Sequence, residues 1–129
     1  MPELPEVETV KKGLIKLTDK ASISDTWVST KRLRFPLTNK KLKTIVGLPI
    51  LGVSRRAKYL LFDLGDTVLI NHLGMTGTWR KLKEAHLHDH VKIKLSTNKT
   101  MVYNDPRRFG FFSISKKNEL DKNVFLRHL

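Results

Sequence analysis

The chain has 129 residues, no cysteine, and 25 Lys and Arg against 12 Asp and Glu, which gives a formal net charge of +13 at pH 7. This length predicts one domain that buries about two thirds of its unfolded surface. The hydrophobic share of 40% and the charged share of 29% are typical of globular proteins and exclude disorder. The lack of cysteine excludes a disulfide scaffold, a thiol nucleophile and a cysteine-ligated metal site within these residues. The acidic start and the absence of a long apolar run predict a soluble protein of the cytoplasm.

Charge is unevenly distributed along the chain. Residues 29 to 62 contain nine basic side chains and no acidic one, whereas the first ten residues contain three glutamates and no base. A basic block interleaved with apolar residues indicates a folded segment that presents its cations on one side. This pattern favours a nucleic-acid partner. An acidic membrane surface, an acidic protein or a plain solvated basic face are the alternatives that charge alone leaves open.

The first predicted element is an amphipathic helix over residues 5 to 17. Its apolar residues Val7, Val10, Leu14 and Leu17 recur at spacings of three, four and three. A proline and two glutamates in the first turn suit a helix start.

Short apolar or alternating runs follow and predict strands. Gly65-Asp66 and Thr97-Asn98 lie between such runs and indicate tight hairpins, hence antiparallel pairing. The last stretch, from residue 115 to the end, predicts a second helix that turns Leu120, Val124 and Leu126 toward a core. The predicted fold is mainly β, an antiparallel β-sandwich with a flanking helix at each end of one domain, 1–129. The predicted strands are 23–28, 42–46, 50–56, 58–64, 67–73, 76–82, 90–96, 100–104 and 109–115.

The start of the chain offers a nucleophile. Removal of Met1 would leave Pro2 as a terminal secondary amine, which can attack an electrophilic sugar carbon and form an iminium ion. Glu3 and Glu6 lie close by in sequence, so one carboxyl group can protonate a leaving oxygen while the other orients the amine or holds the helix start. The alternative is that this composition merely initiates a helix.

Lys58 is a second candidate. On a strand over 58–64 it shares one face with Leu60, Phe62 and Leu64. A lysine on an apolar face either extends past the rim of the sheet to reach solvent or points into a cleft that binds phosphate.

Two glycine-flanked loops carry apolar side chains. Residues 71–77 place Met75 between two glycines, and residues 103–110 place Arg107 and Phe109 between a proline turn and a glycine. Proteins that bend DNA insert such apolar side chains as wedges between base steps, and arginine can fill the gap left by a displaced base. The alternative is two ordinary turns with Met75 and Phe109 in the core.

Residues 86–90 read HLHDH, and on a strand these three histidines would align. No spaced acid or cysteine completes a recognisable metal site, so we predict no metal ligand here. A single phosphate contact by His72 or His90 is the simpler interpretation.

Five segments in order, PELPEVETV, RRAKYLL, HLGMTG, HDHV and YNDPRRFG, resemble the N-terminal domain of formamidopyrimidine-DNA glycosylases. The resemblance implies a β-sandwich with flanking helices, joined in the family to a helix-two-turn-helix domain with a zinc finger. That second half is missing from these 129 residues, so we expect no cofactor in this chain. The opening PELPEV is similar to the purine-directed branch of the family.

The resemblance also implies site residues. Pro2 would attack C1′ of a nucleotide bearing 8-oxoguanine or a formamidopyrimidine, with Glu3 as general acid and Glu6 positioning the terminus. Lys58 would contact phosphate beside the lesion. The remaining implied DNA-binding residues are His72 and His90 at the backbone and Met75, Arg107 and Phe109 as the wedge.

The implied function is a glycosylase and AP lyase that acts in base-excision repair on double-stranded DNA with a damaged base or an abasic site. We expect a monomer, associated with a bacterial nucleoid and not with a membrane. Two alternatives stay open. One is a truncated, catalytically weak or inactive module that binds DNA non-specifically, and the other is a small basic protein of a ribonucleoprotein.

Overall fold

The computed structural model describes residues 4–126 and contains two four-stranded antiparallel sheets. One sheet has the strand order β1-β6-β7-β5 and the other has the order β2-β3-β4-β8. The helices are α1 (Leu4–Thr18), α2 (Asn39–Leu42) and two 3-10 helices (Lys43–Ile45 and Lys117–Lys122), and the strands are β1 (Ile23–Val28), β2 (Gly52–Arg56), β3 (Tyr59–Asp63), β4 (Thr67–His72), β5 (Thr78–Lys81), β6 (Asp89–Leu95), β7 (Thr100–Asn104) and β8 (Phe111–Lys116).

The sandwich core lies between the two sheets and under α1. Val7 and Leu14 of α1 are buried at the helical spacing that the sequence predicts, and they pack in one cluster with Phe62 and Tyr103 from the two sheets. The predicted fold class, a mainly β antiparallel sandwich with a flanking helix at each end, is confirmed, and the helix after β8 is a 3-10 helix. Both predicted hairpins form, β3 to β4 and β6 to β7.

The predicted strand over 42–46 is wrong. Thr38 begins a short helix there, because its side chain accepts a hydrogen bond from the Lys41 backbone nitrogen at 3.0 Å. Leu42 and Ile45 are both fully buried, and their spacing of three fits a helical turn as well as a strand. The segment therefore covers the edge of β1 as a helical turn and pairs with no strand.

The final stretch forms a 3-10 helix, Lys117–Lys122, followed by a turn within the described residues. Leu120 and Leu126 pack on the outer face of the β2-β3-β4-β8 sheet, against a cluster that includes Ile70. Val124 is 61% exposed, so its predicted place in a core is wrong. An irregular segment can pack Leu120 and Leu126 on the sheet and leave Val124 exposed, whereas an α-helix would place Val124 one turn after Leu120 on the same side.

Candidate nucleic-acid interface

Two of the three connections between the sheets in the described part meet at one end of the sandwich. Residues 73–77 join the end of β4 to the start of β5, and residues 105–110 join the end of β7 to the start of β8. We call these two segments the paired loops. A Cβ atom at Gly74 would lie 2.5 Å from the Gly110 nitrogen, and Gly74 has a φ of +63°. Only glycine allows this contact between the two backbones without strain.

A buried carboxylate ties the paired loops together. Asp105 is fully buried and accepts hydrogen bonds from the Thr76 hydroxyl at 2.7 Å and from the Tyr103 hydroxyl at 2.9 Å. It also accepts from the backbone nitrogens of Gly110 at 2.9 Å and Arg108 at 3.1 Å. Four donors on one buried carboxylate hold both loops in one geometry.

Sequence reasoning missed Asp105. Its position directly before a proline, in a turn between two apolar runs, was the available signal, because aspartate side chains accept from nearby backbone N–H groups in such turns. The bond to Thr76 joins residues 29 apart in sequence, and no local pattern predicts it.

On this tied base, two large apolar side chains face solvent. Met75 is 44% exposed and Phe109 is 43% exposed, so the alternative that both are core residues is wrong. The Arg107 guanidinium carbon lies 5.1 Å from the centre of the Phe109 ring, within cation–π range. Met75 and Phe109 line a groove of about 470 Å³ together with Arg34, His72 and Gly74. The structure thus brings the three predicted wedge residues to one place.

His72 forms one wall of this groove. Its Nδ1 accepts a hydrogen bond from the Gly74 backbone nitrogen at 3.0 Å, and its ring stacks on Phe111 with 5.2 Å between centres. Burial, followed by the nearby charges of Arg34 and Lys58, lowers the pKa of His72 below the usual value of 6.5. The ring is therefore neutral near pH 7, and with Nδ1 accepting, the hydrogen sits on Nε2, which is a donor.

Lys58 lies in the turn between β2 and β3 and not on a strand. The predicted start of the strand at residue 58 is therefore wrong. The strand β3 begins at Tyr59, after a turn in which Ala57 has a φ of +50°. Tyr59 pairs with His72 across the sheet, and their rings are 4.9 Å apart. The turn thus places half-buried Lys58 at the same end of the sandwich as the groove.

His90 is placed differently from His72. It is 1% exposed, its Nδ1 lies 3.2 Å from the Ser29 hydroxyl, and its Nε2 lies 2.8 Å from the Asp105 carbonyl oxygen, to which it donates. Burial is the main cause that lowers the pKa of His90. Both ring nitrogens are bonded inside the protein, so this geometry gives His90 a bracing role between Ser29 and Asp105. The contact of His90 with the DNA backbone stays a prediction.

The other two histidines of the HLHDH segment do not align with His90. His86 and His88 precede β6 in a turn, so the predicted alternation along a strand does not form there. Asp89 accepts two hydrogen bonds from Arg80, at 2.6 and 2.8 Å. Within residues 4–126, no three His, Asp or Glu side chains are grouped so as to hold a metal ion.

The helix α1 begins at this end of the sandwich too. Glu8 in its early turns accepts a hydrogen bond from Arg55 Nε at 2.8 Å, near the end of β2, and this bond is the first cause that lowers the pKa of Glu8. Glu6 lies in the first turn and is exposed. Pro2 and Glu3 lie outside the described residues.

Comparison with known proteins agrees with this arrangement. Residues 1–112 match the model of the formamidopyrimidine-DNA glycosylase N-terminal domain. The chain belongs to this family. A formamidopyrimidine-DNA glycosylase of Enterobacter sp. (strain 638) is 46% identical over 132 residues, which cover 100% of this chain and 48% of that protein. One from Bradyrhizobium sp. (strain ORS 278) is 41% identical over 145 residues, covering 100% of this chain and 50% of the relative.

Solved structures of the family share the sandwich. The Lactococcus lactis glycosylase in complex with DNA containing a formamidopyrimidine nucleotide superposes with a TM-score of 0.83 at 35% identity, covering 97% of this chain and 48% of that one. The same protein with DNA containing an abasic site gives 0.84 at 35% identity, with 98% and 47% covered. The chain thus spans about half the length of the curated relatives it matches. Those from Enterobacter and Bradyrhizobium are bacterial proteins. None of the helices in the described part is long and apolar enough to cross a membrane.

Proposed function

We propose that this chain is the catalytic half of a DNA glycosylase and AP lyase that removes oxidised purines from double-stranded DNA in the bacterial cytoplasm, at the nucleoid. The observation that carries the proposal is the exposed pair Met75 and Phe109, held side by side by the buried Asp105 carboxylate. Insertion into a base stack requires exposed apolar side chains on a rigid base. A flexible loop would have to become ordered on binding, and the entropy lost would offset the free energy of the new contacts.

The proposed chemistry begins at Pro2 after removal of Met1. The lone pair of the terminal amine forms a bond to C1′ while the glycosidic bond breaks. The electron pair of the glycosidic bond leaves with the base, which takes up the proton that the amine nitrogen loses. Glu3 donates a proton to O4′ as the sugar ring opens, which leaves an iminium ion. Loss of a proton from C2′ then expels the 3′ phosphate, and a second elimination expels the 5′ phosphate. Glu6 positions the amine, and each step uses an amine or a carboxyl group, with no metal ion.

The groove end of the sandwich provides the DNA contacts in this proposal. Lys58 offers a charge to a phosphate next to the lesion, and neutral His72 offers its Nε2 hydrogen to a phosphate oxygen. Met75 and Phe109 fill the space that the flipped nucleotide leaves, and Arg107 faces the orphaned base. His90 acts indirectly, because it joins Ser29 to the Asp105 backbone.

A second candidate function is non-specific DNA binding with weak chemistry. The observation in its favour is that the chain spans about half of its relatives' length while carrying a net charge of +13. Excision needs a flipped nucleotide in a closed cleft, whereas cleavage at an abasic site needs only an amine and an open-chain aldehyde. On its own, the 129-residue chain is therefore expected to bind DNA with an affinity on the order of micromolar or weaker, to nick abasic DNA slowly and to excise little 8-oxoguanine.

Borohydride trapping tests the proposal. The chain with Met1 removed, as verified by intact mass, is expected to form a covalent adduct with abasic-site duplex, and the chain that retains Met1 is expected to form none. Equal trapping by both forms would show that a lysine is the nucleophile. Robust turnover on 8-oxoguanine duplex would show that these 129 residues suffice for recognition.

A further inference from the structure

A second groove lies beside the paired loops, on the outer side of the β1-β6-β7-β5 sheet. It has a volume of about 410 Å³ and is lined by residues from β1, the segment after β1, β6 and the turn before β6, among them Trp27, Lys31, Leu87 and Lys92. We call it the Trp27 groove. Neither the proposed chemistry nor the wedge uses it.

The apolar part of this groove is exposed. Trp27 is 41% exposed and Leu87 is 77% exposed, although both are large apolar side chains. Trp27 lies opposite Lys92 in the antiparallel pairing of β1 with β6, and the Lys92 ammonium is 4.7 Å from the centre of the indole ring. Because a cation–π contact at an exposed site is weak, an indole face that a lysine covers can exchange the lysine for another flat group.

The charge of the groove selects an anionic partner. Lys31 and Lys92 line it, and its one lining carboxylate, Asp89, already accepts two hydrogen bonds from Arg80 and one from Asn104 at 2.9 Å. Those bonds offset the negative charge of Asp89. Trp27 shares the groove with two lysines, and neither forms an ion pair with another described residue. An exposed aromatic ring with lysines in the same groove is an arrangement with which proteins hold a nucleotide of a single strand, base on ring and phosphates on lysines.

The groove also connects with the paired loops. Ser29 lines it and bonds His90, and His90 bonds the Asp105 carbonyl oxygen, so three residues span from the groove to the base of the wedge. The Trp27 groove and the paired loops are therefore joined through His90.

We infer that the Trp27 groove binds an unpaired nucleotide of single-stranded DNA, with the base stacked on Trp27 in place of Lys92 and with Lys92 and Lys31 on the adjacent phosphates. The base must be unpaired because both faces of a base inside a duplex are already stacked. Stacking on an aromatic ring outweighs an exposed cation–π contact, so the exchange is favourable. The inference deepens the proposed nucleic-acid function, yet it does not depend on the Pro2 chemistry.

The test compares two single-stranded probes of equal charge, a twelve-residue thymidine oligomer and a twelve-residue tetrahydrofuran-phosphate oligomer that carries no bases. Binding is measured by anisotropy, and quenching of tryptophan fluorescence reports stacking because the second tryptophan, Trp79, is only 8% exposed. Trp27→Ala is expected to weaken thymidine-oligomer binding roughly 10-fold and to leave the base-free oligomer unaffected. Trp27→Phe should retain most of the affinity.

Two further variants complete the test. Lys92→Gln removes one phosphate contact and is expected to weaken both probes and to reduce the salt slope by about 0.7. Leu51→Ala is the control, since Leu51 is 63% exposed just before β2, away from both the groove and the paired loops. Equal binding of the thymidine oligomer by Trp27→Ala and the unchanged chain would overturn the inference, as would equal losses on both probes. These probes have no cleavable site, so their binding does not depend on the Pro2 chemistry. If borohydride trapping fails, the binding comparison therefore still tests the Trp27 groove.

Discussion

The two ends of the sandwich differ in their turns and in which side chains they bury. At the end away from the paired loops, the hairpins close by ordinary turn chemistry: Gly65 has a φ of +96°, Asn98 has a φ of +68°, and Leu64 donates to the Thr67 carbonyl oxygen at 2.9 Å. At the paired-loop end, polar groups are buried and apolar groups are exposed, with Asp105 inside and Met75 outside. Exposed apolar side chains forgo the stabilisation that burial would give, and they lie at the end that the proposed function uses.

Among the variants that test the difference between the two ends, we expect the largest loss of stability from a substitution of Asp105. Asp105→Asn replaces an acceptor by a donating amide group that faces the Tyr103 hydroxyl and the Gly110 nitrogen. We expect a loss of about 3 kcal/mol in the free energy of unfolding, measured by chemical denaturation.

The matched variant at the opposite end is Gly65→Ala. Its positive φ makes alanine unfavourable by about 1 kcal/mol, with no neighbouring atom within 4 Å. Gly65→Ala is expected to leave DNA binding unchanged. A loss at Asp105→Asn no larger than that at Gly65→Ala would contradict the role of Asp105 as the tie between the loops.

The buried histidines predict a pH dependence that belongs to the paired-loop end. Burial lowers the pKa of both His72 and His90 below 6.5, so the unfolded chain binds more protons than the folded one in the interval below that value. The stabilisation is complete above about pH 6.5 and is lost as pH falls through the folded pKa values, with a slope of up to about 1.4 kcal/mol per pH unit for each ring.

Thermal or denaturant unfolding between pH 7.5 and 5 measures this slope. His90→Gln removes one titrating group while keeping an N–H donor for the Asp105 carbonyl oxygen, and it is expected to flatten the dependence. A variant with the same slope as the unchanged chain would show that His90 does not resist protonation.

A smaller effect is expected at Lys58. Lys58→Ala removes the phosphate contact that we propose for this lysine, so the slope of log affinity against log salt for duplex DNA should become shallower by about 0.9. Lys99→Ala is the control, because Lys99 is an exposed lysine in the β6 to β7 turn at the opposite end. Equal slopes for the two variants would mean that Lys58 contributes only general charge.

Local patterns predicted the regular parts of this molecule. Helix α1 and both hairpins follow from periodicity and turn residues, because their determinants lie within a few positions of each other. The strand predicted over 42–46 was wrong because two buried residues three apart fit either a strand or a helical turn. The helix cap that decides between them, Thr38, lies outside these five residues. The predicted strand over 58–64 begins one residue too early, because β3 begins at Tyr59 and Lys58 lies in the preceding turn.

The site could be predicted in its exposed part and not in its buried part. Met75 and Phe109 carry a sequence signal, apolar side chains close to glycines, whereas the ties made by Asp105 depend on how the fold brings the paired loops together. His90 shows the same limit, since whether a histidine faces solvent or bonds a carbonyl oxygen depends on what the fold packs over it.

The most direct test of the account is whether Met75 and Phe109 enter DNA. A duplex with a tetrahydrofuran site opposite 2-aminopurine reports insertion at that site through its fluorescence, measured at saturating protein so that affinity does not enter. We expect the unchanged chain to alter this fluorescence and the double variant Met75→Ala, Phe109→Ala to bind without altering it, while both keep the same unfolding free energy to within about 1 kcal/mol because the side chains are exposed. An identical fluorescence response from the double variant would contradict the assignment of the paired loops as the wedge.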